Sequence, residues 1–270
     1  MHFRLIFAIE RNMAPLIVLF GLALIVVFFI LYKTPARKVI LPENYKDLLQ
    51  NHVSYYQNLS EKSKLHFEEK IKDFLSYVRI DGVDTNVEDL DILLVACSAV
   101  IPVFGFKSWR YYNLKNVLLY PAMFNREKFL ASGYEKNTLG MIGTGPMQRV
   151  MILSKPALRE GFLNKSSASN TGIHEFVHLL DKEDGEVDGL PETLFARKND
   201  SKWLSLINQN IEKIILQQSD FNPYGAANKA EFFAVASEYF FNQPELFAQN
   251  HGELFKILCT IYNQDPSLRQ

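Results

Sequence analysis

Cysteine is almost absent from this chain. Its 270 residues hold two, Cys97 and Cys259, far apart and with no CxxC pair. That excludes a disulfide framework. Both sit in apolar stretches of helical pattern, which reads as two buried free thiols and fits a reducing compartment. Charge of either sign is scarce as a block: the formal net charge is -1 and 22% of residues are charged. With no basic stripe and no acidic tail, nucleic acid is not an expected partner. No internal repeat is visible. Hydrophobic residues make up 48% of the chain, a globular composition rather than a disordered one.

Charge is also missing from one long run. Ala14 to Tyr32, APLIVLFGLALIVVFFILY, is 19 residues with no charge. At about 1.5 Å per helical residue it nearly spans a hydrocarbon core of about 30 Å. A cleaved signal peptide would have a shorter apolar region and then a small-x-small site, whereas KTPARK follows here. The reading is an uncleaved anchor within residues 1–38, spanning 14–32, followed by one domain at 39–270. Arg4 and Arg11 precede the run and Lys33, Arg37 and Lys38 follow it. This mild excess places the domain on the cytoplasmic side of a single-pass membrane protein.

Beyond the linker prolines Pro35 and Pro42, the pattern of Tyr45 to Val78 predicts one or two amphipathic helices. Asn86 to Ile101 predicts another, with Thr85 as cap and Glu88 three residues on. Lys115–Tyr120 and Arg149–Ser154 read as strands, with a loop at Gly140, Gly143, Gly145 and Pro146 between them. Further helices are expected at Thr171–Asp181, Lys202–Gln218, Asn228–Phe241 and Glu253–Tyr262. Asn170 caps the first of these, and Asp184–Gly189 ends it. The fold class is α+β, mainly helical, with a small β-sheet.

The stretch TGIHEFVHLLD, Thr171 to Asp181, carries the chemistry. On a helix His174 and His178 lie on one face, a turn apart. Two imidazoles so placed suit two corners of a tetrahedral zinc site. Glu175 is displaced around the helix, where it can serve a metal-activated water as general base. Ile173, Phe176, Val177, Leu179 and Leu180 make the helix apolar almost all round, and polar groups buried there need partners. A catalytic zinc takes a third protein ligand, and no HExxHxxGxxH extension supplies one. His251 stands at a helix start. Glu231 and Glu238, seven apart on the Asn228–Phe241 helix, are the carboxylate candidates. Glu231 is favoured, although as the third residue after Asn228 it also fits a capping box. Asp181 and Glu238 are candidates for orienting a ligand's ring N–H. The strand Arg149–Ser154 is a candidate for pairing with an extended peptide.

HEFVHLLD, the DGLP of Asp188–Pro191 and YGAANKAEFFAVASEYFFNQPELF from Tyr224 to Phe247 together resemble the zinc peptidases typified by Mlc titration factor A. Tyr120–Phe124 and RVMILS with the glycines before it are similar to the same family, and the resemblance covers residues 45–270. It implies a zincin-like domain of the gluzincin type, similar in fold to the catalytic domain of anthrax lethal factor. It also implies Zn²⁺ held by His174, His178 and Glu231, Glu175 as the base, and Tyr224 steadying the oxyanion. The expected function is a membrane-anchored zinc metallopeptidase, in a bacterial inner membrane, acting on a peptide or protein substrate. The best-known member is soluble and binds a transcriptional repressor, so the alternative is a protein-binding regulator on the same scaffold with little or no peptidase activity.

Overall fold

The computed structural model describes residue 22 and residues 39–121, 124–125, 137–138, 140–142, 149–191, 194 and 200–268. The chain divides into two compact units, Met1–Lys38 and Val39–Gln270. Apart from Leu22, the run Ala14–Tyr32 lies outside the described residues. Among the described residues no helix is long and apolar enough to cross a membrane. A crossing needs about 20 apolar residues. The 17-residue helix Glu61–Tyr77 is amphipathic and carries charge along its length. The expected single-pass membrane location is therefore corrected, and with it the anchoring to a membrane and the cytoplasmic siding deduced from the anchor.

The second unit opens with three helices: α1 (Tyr45–His52), α2 (Ser54–Gln57) and α3 (Glu61–Tyr77). The sequence pattern suggested one or two. Val53, in extended conformation, breaks α1 from α2, and Ser60 starts α3 by accepting from the Ser63 N–H. Strand β1 (Arg79–Gly82) follows, then α4 (Asp89–Val103). Its cap is Glu88 rather than Thr85: Glu88 and Asp91 form a reciprocal capping box. Next come β2 (Asn116–Tyr120), the short strands β3 (Phe124–Asn125), β4 (Asn137–Thr138) and β5 (Gly140–Ile142), and β6 (Val150–Ser154). Part of the expected glycine loop is thus strand β5. After β6 the chain turns at once into α5 (Lys155–Leu163), capped by Ser154, a helix the sequence reading missed. Helices α6 (Thr171–Asp181), α7 (Asp200–Ile215), α8 (Lys229–Asn242), α9 (Pro244–Asn250) and α10 (Gly252–Tyr262) complete the described fold.

The main sheet has the order β1-β2-β6-β5. The first three strands are parallel, and β5 joins β6 antiparallel. The pair β3-β4 stands apart as an antiparallel ribbon. Strand β6 has β2 on one side and β5 on the other, so Arg149–Ser154 offers no edge to an added strand. The outer strands are β1 and β5. This central position explains why VMILS is buried almost throughout, as parallel-sheet interiors are.

Helix α6 is the hub. It packs on α4, α5 and α8 and touches β5 and β6. Its residues are buried at nine of eleven positions, as an all-round apolar helix must be. Gly172 makes the crossing with α4 possible: a Cβ there would stand 2.1 Å from the Ser98 hydroxyl. Phe176 fixes the other side, edge-on to Phe74 at 5.7 Å and Tyr111 at 5.2 Å between ring centroids. Cys97 is buried as expected, while Cys259 is only partly so.

Candidate metal centre

Two asparagine caps present the ligands. Asn170 Oδ1 accepts from the Ile173 N–H at 3.1 Å and starts α6. Asn228 Oδ1 accepts from the Glu231 N–H at 2.9 Å and starts α8. These are the ordinary reason for asparagine before a helix. Glu231 does not complete a capping box. Its carboxylate instead faces α6.

There Glu231 Oε2 lies 3.0 Å from His174 Nε2 and 3.3 Å from His178 Nε2. The two Nε2 atoms are 3.1 Å apart. One ligand atom from each of the three residues falls within 4.8 Å of the others. His174 Nδ1 is 2.6 Å from Glu238 Oε1, and the other oxygen of Glu238 accepts from the Asn170 N–H. A carboxylate beside Nδ1 assigns the ring proton to that nitrogen, which leaves a lone pair on Nε2 aimed at Glu231 and His178. Atoms facing one another at these distances need positive charge among them, a proton shared with the histidines or a bound cation. Two imidazoles and one carboxylate are a donor set for a divalent transition metal, and the residues present fit one.

The electrostatics agree. Burial opposes protonation of His174, but Glu238 and Glu231 outweigh it and hold its pKa well above the usual value. Burial also pushes Glu231 up, yet hydrogen bonds with His174 and His178 hold it far below the usual carboxylate range. Both directions describe a site that favours positive charge. Glu175, 7% exposed, differs: burial raises its pKa, and the two histidines offset this only in part. A carboxyl moved up from the usual range is better matched to accepting a proton near neutral pH.

Tyr224 sits on a 3₁₀ turn, Pro223–Ala226, opened by Asn222, whose side chain accepts from the Tyr224 N–H. Its ring centroid is 6.0 Å from that of His174. His174, Glu175, His178, Glu231 and Tyr224 thus lie on the neighbouring elements α6, α8 and this turn. Glu238 proves to be the histidine partner that was one of two candidates. Asp181 does not take that role: its Oδ2 accepts from the Gly189 N–H at 2.8 Å, while Asp181 Oδ1 and His178 Nδ1 are buried without a hydrogen-bond partner. His251 is elsewhere, 2.6 Å from Asp220 Oδ1. Gly189 and Trp203 were missed as neighbours of the centre. The DGLP motif was visible, but its contact with α8 depends on chain folding.

A buried histidine–glutamate pair, a second histidine one turn on and a carboxylate from α8 define a centre of the metallopeptidase class. The family described as glucose-regulated metallo-peptidase M90 matches residues 32–263, and the chain belongs to it. Mlc titration factor A of Cronobacter sakazakii is 31% identical over 200 residues, 68% of this chain and 72% of its own length. The protein of the same name from Escherichia fergusonii matches to the same extent. A Synechocystis protein of undetermined character is 28% identical over 237 residues, 84% of this chain and 86% of its own.

Proposed function

We propose that the chain is a zinc metallopeptidase with a zincin-like domain of the gluzincin type, hydrolysing peptide bonds in a peptide or protein segment. The observation that carries this is the convergence of His174, His178 and Glu231 beside the buried Glu175. Zinc held by those three residues would supply a Lewis acid at the scissile carbonyl and an acidified water. Glu175 takes the proton from the attacking water and passes it to the leaving amine. The Tyr224 hydroxyl donates to the oxyanion as it forms. Glu238 holds the His174 ring, so the ligand face does not turn away.

The name of two relatives, Mlc titration factor A, favours a second reading, binding of a regulatory protein. Glu175 separates the two, because a binding scaffold needs no base. The test is zinc content by mass spectrometry and cleavage of a peptide library by the purified full chain, beside Glu231→Ala and Glu175→Gln. The peptidase reading expects one zinc per chain, its loss in Glu231→Ala, and retained zinc with no cleavage in Glu175→Gln. Wild-type chain purified without chelator and lacking zinc would sink it. Cleavage that persists in Glu175→Gln would remove Glu175 from the mechanism.

A further inference from the structure

The third ligand comes from a different helix than the two histidines, so something must fix the distance between α6 and the start of α8. Asp181 ends α6 and is fully buried. A carboxylate there opposes the helix dipole and needs a donor. It finds one in the Gly189 N–H, at 2.8 Å. The carbonyl of the same residue accepts from Trp203 Nε1 at 2.8 Å, and Trp203, on α7, is also fully buried. Gly189 is therefore held from both sides of its own backbone.

It is also held against α8. Gly189 has φ +79°, and a Cβ on it would stand 2.4 Å from the Lys229 carbonyl oxygen, 2.6 Å from the Lys229 carbonyl carbon and 3.0 Å from the Ala230 nitrogen. These atoms belong to the first turn of α8, next to Glu231. The contact is backbone against backbone, so neither side can swing aside as a flexible side chain would. Gly185, in the same loop, offers a contrast. It has φ +106°, and a Cβ there would meet nothing within 4 Å.

We propose that Asp181, Gly189 and Trp203 form a clip that positions Glu231 for metal binding without touching the metal. Asp181 and Trp203 hold the Gly189 peptide, and the bare Cα of Gly189 lets α8 start close enough for its carboxylate to reach both histidines. None of the three is a ligand. The clip sets metal affinity by setting the register between two helices. This rests on the metal-centre reading above.

The test is zinc affinity by chelator competition on the full chain, with unfolding in excess chelator measured alongside. Gly189→Ala is expected to bind zinc about 10–100-fold more weakly, the range usual for residues that support ligands indirectly. Gly185→Ala carries the same left-handed strain but no push on α8, and it should stay within about threefold of wild type. Asp181→Ala, which removes the acceptor, should weaken zinc binding, and Asp181→Asn, which keeps an oxygen for the Gly189 N–H, should restore most of it. If Gly189→Ala does not fold, the Asp181 pair decides. Wild-type affinity in both Gly189→Ala and Asp181→Ala, or equal losses in Gly189→Ala and Gly185→Ala, would overturn the clip and leave the metal centre standing. A wild-type chain that binds no zinc overturns both.

Discussion

His174 Nδ1 lies 2.6 Å from Glu238 Oε1, and the second oxygen of Glu238 accepts from the backbone of Asn170, the residue that caps the helix bearing His174. One carboxylate therefore orients a candidate ligand and ties down the start of its helix. Removing it in Glu238→Ala leaves a ring N–H and a backbone N–H buried without acceptors. The expected cost is about 1–3 kcal/mol for each unsatisfied donor, with zinc affinity lower by about 10–100-fold. Urea unfolding of the metal-free chain and chelator competition measure the two effects separately. A loss of stability with unchanged zinc affinity would reduce Glu238 to a structural role.

Asp181 makes stability depend on pH in an unusual direction. Burial pushes its pKa up to about 6 from 3.8, against the opposing hydrogen bond from Gly189. A carboxyl whose folded pKa is raised binds its proton more tightly when folded. Its contribution is thus fully present below about 3.8 and is lost as pH rises through about 6. A shift of about two units corresponds to roughly 3 kcal/mol. In excess chelator, wild type should therefore lose stability between pH 4 and 6 by an amount that Asp181→Asn does not show. Parallel pH profiles for the two chains would contradict the assignment.

Much of the centre was legible because helix chemistry is local. Asn170 and Asn228 announce their helices through caps that act over three residues, and the spacing of His174 and His178 fixes a shared face without any tertiary knowledge. The pairing of Glu231 with those histidines was not local. It competed with Glu238 and His251 in the reading of the residues, which favoured Glu231, and the resemblance to a known family supported the same choice. Most of what escaped the reading had weak local signals. Strand β1, RIDG, is four residues long and shows no alternation of burial. Helix α5 follows β6 with no intervening loop, so Ser154 ends the strand and caps the helix at once, and the Ser154–Pro156 start signal was passed over. Gly189 has a contact partner forty residues away, and no sequence pattern encodes that.

Removing metal should be visible as a loss of fold stability. A ligand that binds only the folded state adds about 4 kcal/mol when its free concentration is about 1,000 times Kd. For a domain of this size each kcal/mol moves Tm by about 2–4 °C. The wild-type chain with excess zinc should melt roughly 8–16 °C above the same chain in chelator. Glu231→Ala, lacking one of three donors, should show little of that difference. Equal Tm for wild type with zinc and with chelator would mean that the three side chains satisfy one another without a cation.

Tyr224 allows the sharpest separation of chemistry from structure. Its side chain is 54% exposed on a short turn, yet its ring stands 6.0 Å from that of His174. Tyr224→Phe keeps the ring and deletes only the hydroxyl. Exposed substitutions of this size usually change stability by less than about 1 kcal/mol, and no ligand is touched, so zinc content should remain at the wild-type level. If the hydroxyl donates to the oxyanion, kcat should fall by about 100–1,000-fold, the loss typical of one such donor, with KM nearly unchanged. A rise in KM with kcat intact would instead place Tyr224 in substrate binding, since a group that holds substrate and transition state equally affects only KM. Unchanged kinetics would leave it as a turn residue held by Asn222.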